Sequence, residues 1–224
     1  MLCQAIQIGD TGDDLWKIGS GAFRRYHSQI MGTAPPVVAP SPPVQIRHDI
    51  YGVYVDDVNQ ANANRIVQGI TGAMAAGNKH VHMMFQSWGG FVGDGVMLYN
   101  FFKSLSLVDL SLYNSGQICS AAVTAYLGAK RRVASPRSAF MIHKSMSTAQ
   151  FATAAKLDKM ARNLILDDER SEAIWREHVK MPDELWEQLE YHDLYLTGEE
   201  AVKFGIATEL GEFAPPIGTQ IYKV

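Results

Sequence analysis

From about residue 50 onwards, short runs of β-branched and aromatic residues alternate with segments whose apolar residues recur at helical spacing. The run YGVYV is the first predicted strand, and residues 59–76 form the first predicted helix. The alternation continues with a buried strand at 81–85, a helix at 92–102 and a strand at 108–114. Strands that alternate with helices in this way predict an α/β fold, built on a parallel sheet that helices cover.

The second half of the chain continues this pattern with shorter segments. A helix rich in small residues is predicted at 119–129, followed by strands at 131–134 and 139–143. A long amphipathic helical pattern then covers 153–179 and is stopped by Pro182. A turn at 185–189, a helix start at 198–204 and the segment IATEL at 206–210 close the domain.

A proline-rich segment separates this domain from the N-terminus. Five of the nine prolines fall within residues 34–43, whose sequence APPVVAPSPP favours an extended polyproline conformation. The residues before it mix glycine, aspartate and isolated aromatic residues without a sustained period. We therefore expect an N-terminal appendage over residues 1–49, with 34–43 as its linker, and one domain over residues 50–224.

The charge and composition of the chain exclude several classes of function. With 20 basic and 23 acidic residues, the 224-residue chain has a formal net charge of -3 and no cationic excess for nucleic acid or an anionic membrane surface. No apolar run approaches the roughly 20 residues that span a bilayer, and Asp10, Asp13 and Asp14 are atypical of a signal peptide. The two cysteines lie far apart and outside any metal-binding pattern, so we expect a cytoplasmic protein without disulfides or metal.

Two predicted strand-to-helix junctions carry residues suited to chemistry. The first contains Gly89 and Gly90, whose conformational freedom lets backbone N–H groups approach an anionic oxygen. In the second, Ser120 enters a helix whose positive end favours a developing oxyanion. Each junction also has a plainer interpretation, because paired glycines form tight turns and serine commonly caps helices. Neither junction identifies a function on its own.

A nucleophilic serine requires a base to take its proton and a third group to orient that base. His143 ends a predicted strand and would lie at the carboxyl edge of the parallel sheet, where open α/β sheets collect functional residues. Asp193 lies just before a capping box formed by Thr197 and Glu200. The chain order Ser120, His143, Asp193, without a G-x-S-x-G motif, does not support an α/β-hydrolase.

Three neighbouring features have structural interpretations. Cys119 is expected to be a buried packing residue rather than the nucleophile. Lys144 could activate a serine only if it were desolvated, and nothing in the sequence indicates that. The acidic run at 167–169 is expected to form a solvated helix face rather than a metal site.

Five motifs occur in register along the domain. They are QSWGG, GQICSAA, GAKRR, SPRSAFMIH and DLYLTGEEAVKFG, in this order. Together they resemble the ClpP family of self-compartmentalising serine peptidases, and the resemblance covers about residues 50–212. It implies a ClpP/crotonase-like α/β fold, in which repeated β-β-α units form a superhelical domain with a protruding long helix.

Residue by residue, the resemblance also implies an active site. Ser120 would be the nucleophile, His143 the general base and Asp193 the acid that orients the base. The backbone N–H groups of Gly90 and Ala121 would form the oxyanion hole. No metal and no organic cofactor are implied.

The resemblance further implies a serine endopeptidase, akin to the proteolytic subunit of an ATP-dependent Clp protease, that hydrolyses unfolded polypeptides inside an oligomeric chamber. The implied partners are further copies of this chain in a ring of about six or seven subunits, single or stacked as a double ring, and a AAA+ unfoldase. Two alternatives stay open: a crotonase-type acyl-CoA enzyme and a catalytically silent ring subunit. Three residues depart from the usual family pattern, namely Trp88, Ser145 and His192.

Overall fold

The computed structural model describes residues 49–224, so the predicted appendage and its linker lie outside the described residues apart from Asp49. In this part of the chain the strands are β1 (Asp49–Val55), β2 (His80–Gln86), β3 (Asp109–Asn114), β4 (Gln117–Cys119), β5 (Arg131–Ala134), β6 (Ala139–Ile142), β7 (Leu194–Thr197), β8 (Glu209–Leu210) and β9 (Ile221–Lys223). The helices are α1 (Gln60–Ala75), α2 (Val92–Ser104), α3 (Ala121–Tyr126), α4 (Ala154–His178), α5 (Asp183–Leu189) and α6 (Gly198–Phe204). The predicted alternation of strands and helices is confirmed.

Six of the described strands form a sheet in the order β8-β5-β3-β2-β1-β9, and every neighbouring pair is parallel. Strand β2 lies inside this sheet and buries Val81, Met83 and Phe85, which alternate with less buried residues. Helices α1 and α2 contribute Ile66 and Leu98 to the same core. The prediction of an α/β fold on a parallel sheet is therefore confirmed.

Strands β4, β6 and β7 form a separate three-stranded sheet. Strand β6 is parallel to β4 and antiparallel to β7. The prediction that the strand before His143 lies in the parallel sheet is wrong, because β6 belongs to the smaller, mixed sheet. Helix α3 is also shorter than the predicted 119–129, since Cys119 pairs with Met141 in the sheet and the helix ends at Tyr126.

Most of helix α4 protrudes from the body of the domain. It ends before Pro182, as predicted, and the side chain of Thr153 caps its N-terminus. Of its 25 residues only Ser171 and Trp175 are buried, and both lie in its C-terminal third. Trp175 anchors this end, because its Nε1–H donates to Thr124 Oγ1 on α3 at 3.0 Å. The protruding long helix is thus confirmed; neither α4 nor another helix within residues 49–224 has the length and hydropathy needed to cross a membrane.

The C-terminal elements bring Asp193 next to the end of β6. The predicted turn at 185–189 is part of helix α5. Strand β7 was not predicted, and it pairs with β6 immediately after Asp193. Helix α6 begins at the predicted capping box, in which Thr197 and Glu200 exchange side-chain to backbone hydrogen bonds.

Candidate active site

Ser120 occupies a sharp turn between strand β4 and helix α3. Its backbone has φ 55° and ψ -131°, a conformation that residues other than glycine rarely adopt and that costs about 1–3 kcal/mol. The turn is held in place because the N–H of Ser120 donates to Met141 O at 2.7 Å. Strained residues that the surrounding structure holds in place cluster at functional sites. The chain therefore builds a strand-to-helix turn around this serine without the G-x-S-x-G pattern.

His143 directly follows β6 and contacts this serine. The pairing of Cys119 with Met141 places the ends of β4 and β6 side by side. As a result, Ser120 and His143 meet although they are 23 residues apart, and His143 Nε2 lies 2.9 Å from Ser120 Oγ. This distance is that of a good hydrogen bond between a nucleophile and its base.

The glycine loop after β2 lies against the serine. A Cβ atom added to Gly89 would lie 2.6 Å from Ser120 Cβ and 3.2 Å from its Oγ, so only glycine permits this approach. The carbonyl of Gly89 accepts from the N–H of Val58 at 2.7 Å, and its N–H donates to Ser87 Oγ at 3.1 Å. The N–H of Cys119 donates to Ser87 O at 2.9 Å, which ties the loop to β4.

Two N–H groups of this site lack a hydrogen-bond acceptor among the described residues. Within residues 49–224, the N–H of Gly90 and that of Ala121 donate to no backbone or side-chain acceptor. Gly90 adopts φ 147°, and a Cβ atom there would collide with Val58 O. The flanking residues are fixed, because the N–H of Phe91 donates to Val58 O at 2.9 Å. Unpaired, fixed donors are what an oxyanion requires.

Asp193 is close to His143 in the sheet but does not contact its ring. Strands β6 and β7 pair Ile142 with Leu194, so the next residues along, His143 and Asp193, lie opposite each other. The Asp193 side chain is nevertheless exposed to solvent. Among the described residues nothing hydrogen-bonds to His143 Nδ1, which is buried. The structure thus brings Ser120 and His143 together and leaves Asp193 without a hydrogen bond to the ring.

Two neighbouring groups are unsuited to replace this pair. Burial acts to lower the pKa of the Lys144 ammonium, but hydrogen bonds to Glu172 and Glu190 outweigh burial and raise the pKa above that of a free lysine. Lys144 therefore stays charged and is no base. Cys119 is fully buried, and this burial raises the pKa of its thiol although a hydrogen bond from Gln117 acts in the opposite direction. Its predicted role in packing is confirmed.

The three departures from the family pattern have different surroundings. Trp88 precedes the glycine pair and leaves 69% of its surface exposed. The N–H of Ser145 donates to Asp168 on α4. His192 is exposed, and its N–H donates to Gln188 O at 3.0 Å.

Ser87 also belongs to the site, and this role was not predicted. Ser87 is buried; it joins the glycine loop to β4 and accepts the N–H of Gly89. A serine two residues before a glycine pair is the only sequence signal of this role. In residues 49–224, no group of three or more His, Cys, Asp or Glu side chains is arranged to hold a metal ion.

The chain is similar to known proteins of one family. A family model described as Clp protease matches residues 48–213. The chain is 24% identical over 163 residues to ATP-dependent Clp protease proteolytic subunit 3 of Rhizobium etli, covering 72% of this chain and 81% of that protein. It is 24% identical over 156 residues to proteolytic subunit 2 of Pseudomonas aeruginosa, covering 68% and 76%.

A solved structure of a ClpP1 mutant from Listeria monocytogenes has the same fold, with a TM-score of 0.62 and 21% sequence identity over 74% of this chain and 92% of that chain. This likeness confirms the ClpP/crotonase-like fold. The family model covers most of the chain, including the glycine loop, the serine turn and the strand that ends at His143. The chain belongs to the Clp protease family.

Proposed function

We propose that this chain is a serine-type endopeptidase that hydrolyses peptide bonds of unfolded polypeptides inside an oligomeric chamber. The observation that carries the proposal is the 2.9 Å contact between Ser120 Oγ and His143 Nε2. A hydroxyl held against an imidazole in a strained turn, with unpaired N–H groups nearby, is suited to acyl transfer. Membership of the Clp protease family supports the same reaction class.

In the proposed reaction, His143 Nε2 accepts the hydroxyl proton while Ser120 Oγ bonds to the carbonyl carbon of the scissile peptide. The N–H groups of Gly90 and Ala121 donate to the oxyanion of the tetrahedral intermediate. The C–N bond then breaks, and His143 gives its proton to the departing amine, which leaves an ester on Ser120. A water molecule that His143 deprotonates hydrolyses this ester and restores the serine.

Asp193 is the proposed acid that orients the base. When Nε2 accepts the proton of Ser120, Nδ1 of His143 carries the other ring hydrogen. A buried N–H without an acceptor is unfavourable by about 1–3 kcal/mol. Because Asp193 lies opposite His143 in the strand register, rotation of its side chain towards the ring would supply this acceptor. The carboxylate would then stabilise the imidazolium that forms during the reaction.

A second candidate is a ring subunit without catalytic activity. The exposed position of Asp193 favours it, because an imidazole without an orienting acid is not held in the tautomer that accepts the hydroxyl proton. The family match favours both candidates over the crotonase-type alternative.

Reaction with a fluorophosphonate probe, which modifies activated serines, separates the two candidates. We expect peptide mapping to locate the probe on Ser120. His143→Ala is expected to abolish labelling, because the serine loses its base, whereas His80→Ala is the matched control, since His80 is half-exposed on β2. An assembled wild-type chain that stays unlabelled would identify a silent subunit. Labelling of Cys119 would contradict the assigned nucleophile.

The exposed part of α4 supports assembly with further copies of the chain. Leu157, Ile165 and Leu166 each leave about half of their surface exposed on this protruding helix. Apolar side chains in such a position favour burial against another chain. The proposed assembly is a ring of about six or seven subunits, single or stacked, that encloses the active sites and receives unfolded polypeptide from a AAA+ unfoldase.

Changing two of these apolar residues to acids is expected to weaken assembly. In Ile165→Asp/Leu166→Asp the new charges would have to lose water on contact, so native mass spectrometry at micromolar concentration should show smaller species than in the wild type. Ile217→Asp is the control, because Ile217 is fully exposed and lies beyond the family match. A monomeric wild type contradicts enclosure, and unchanged assembly of the double variant contradicts the role of α4.

A further inference from the structure

Two carboxylates from different elements hold Lys144, the residue after His143. Its Nζ lies 3.0 Å from Glu172 Oε2 on α4 and 3.2 Å from Glu190 Oε2. Glu190 follows the end of α5 and comes shortly before Asp193 in the sequence. Through one cation, Lys144 therefore connects the segment of the proposed base to the segment of the proposed orienting acid.

Further contacts fix this arrangement to α4 and α5. The N–H of Ser145 donates to Asp168 Oδ1 at 2.6 Å, one helical turn before Glu172. Asp168 thus faces the domain, and the sequence interpretation that placed it on a solvated face was wrong. Arg176 Nε donates to Glu172 Oε1 at 2.7 Å, and its guanidinium lies 4.3 Å from the ring centroid of Trp186 on α5. Glu172 is therefore held from two sides.

The contribution of Lys144 is geometric rather than thermodynamic. Its side chain is 27% exposed, that of Glu172 28% and that of Glu190 57%. Ion pairs with this much access to solvent contribute little to the free energy of folding. They nevertheless restrict where the end of β6 lies relative to α4 and to the segment before β7. This restriction acts on the two segments whose alignment the proposed reaction needs.

We propose that Lys144 is a positioning residue for the Ser120–His143 pair, an inference that rests on the proposed peptidase function. Lys144 acts through its neighbours: it keeps the His143 ring against Ser120 Oγ and holds the segment of Asp193 where its carboxylate can reach Nδ1. Misplacement of a catalytic group by about 1 Å can lower a rate about 100-fold. Loss of the cation would therefore slow the reaction of Ser120 without removing any reacting group.

The kinetics of fluorophosphonate labelling in the assembled, full-length chain test this role. Lys144→Met keeps an unbranched side chain that is one atom shorter and removes its charge, and Glu172 retains Arg176 as a partner. We expect the limiting rate of Ser120 labelling to fall about 10- to 100-fold, with the half-saturating probe concentration unchanged. Lys144→Arg, which keeps the cation, is expected to restore most of the limiting rate.

Lys103→Met is the matched control. Lys103 Nζ pairs with Glu177 Oε1 at 2.6 Å, so this variant also removes an ion pair with α4 but leaves the His143 segment intact. It should label as the wild type does. Glu190→Gln weakens only the link towards Asp193 and is expected to lower the limiting rate in the same direction. It provides the test should Lys144→Met fail to assemble.

Several results would overturn the positioning role while leaving the proposed function standing. They are a wild-type limiting rate in both Lys144→Met and Glu190→Gln, an equal loss in Lys103→Met, or a loss confined to the half-saturating concentration. An assembled wild type without labelling at Ser120 would instead overturn the proposed function, and the positioning role with it.

Discussion

Replacing Ser120 with alanine is expected to lower the rate of peptide hydrolysis by roughly 10³-fold or more, to the level that substrate binding and the oxyanion donors alone sustain. Alanine keeps the Cβ atom and the backbone of the turn but loses the hydroxyl that lies 2.9 Å from His143 Nε2. The fold and the assembly should therefore persist. A fluorogenic peptide assay, with circular dichroism and native mass spectrometry on the same sample, measures both expectations.

Ser104→Ala is the matched control for this variant. Ser104 ends α2, is exposed, and its hydroxyl donates only to Phe101 O within the described residues. Its replacement should leave hydrolysis at the wild-type rate. Undiminished hydrolysis in Ser120→Ala would show that another group attacks the peptide, and the assignment of the nucleophile would be wrong.

A methyl group at Gly89 is expected to have the second large effect. The Cβ of Gly89→Ala would lie 2.6 Å from Ser120 Cβ, and φ 102° disfavours any side chain. The loop cannot retreat without breaking the 2.7 Å hydrogen bond from the N–H of Val58 to Gly89 O. Either the serine turn or the loop must therefore move. We expect hydrolysis to fall by about 100-fold or more, measured with the same peptide assay.

Gly93→Ala is the control for the addition of a methyl group to a glycine. Gly93 lies in the first turn of α2, and a Cβ atom there would meet nothing within 4 Å. We expect a wild-type rate and a free energy of unfolding that rises by about 0.5–1 kcal/mol, because alanine favours the helix. If Gly89→Ala were as active as Gly93→Ala, the contact between the glycine loop and Ser120 would not belong to the active form.

The helices were predictable where periodicity and capping agree. The predicted helix at 59–76 matches α1 with its caps, because Asn59 accepts the N–H of Asn62 just where the apolar period begins. The predicted helix at 153–179 matches α4 for the same reason, with Thr153 as its cap. In both cases a local side-chain cap marks the start of the helix, and the sequence contains that cap.

The small mixed sheet was not predictable, because its strands depend on one another. Strand β4 has three residues, too few for a periodic pattern, and it forms by pairing with β6 and through the bridge between Ser87 and Ile118. The positive φ of Ser120 follows from this pairing, since the chain must turn sharply from β4 into α3. The resemblance to the family singled out Ser120, His143 and Asp193 as the candidate site residues. The side-chain direction of Asp193 depends on tertiary surroundings that no local pattern encodes.

Between His143 and Asp193 the chain passes through α4, whose C-terminal end is anchored to the domain, and through α5, and it then enters β7 beside the strand that it left. The pairing of β6 with β7 sets these two residues opposite each other, and the contacts of Lys144 and Ser145 with α4 involve only Asp168 and Glu172. The part of α4 before Asp168 lies outside these contacts, so its length is free to vary. Whole helical turns inserted or deleted before Asp168, with a matching change in residues 146–153, would change how far α4 protrudes and leave His143 opposite Asp193. In the proposed assembly, the reach of α4 can therefore differ between related chains while Ser120 and His143 stay in contact.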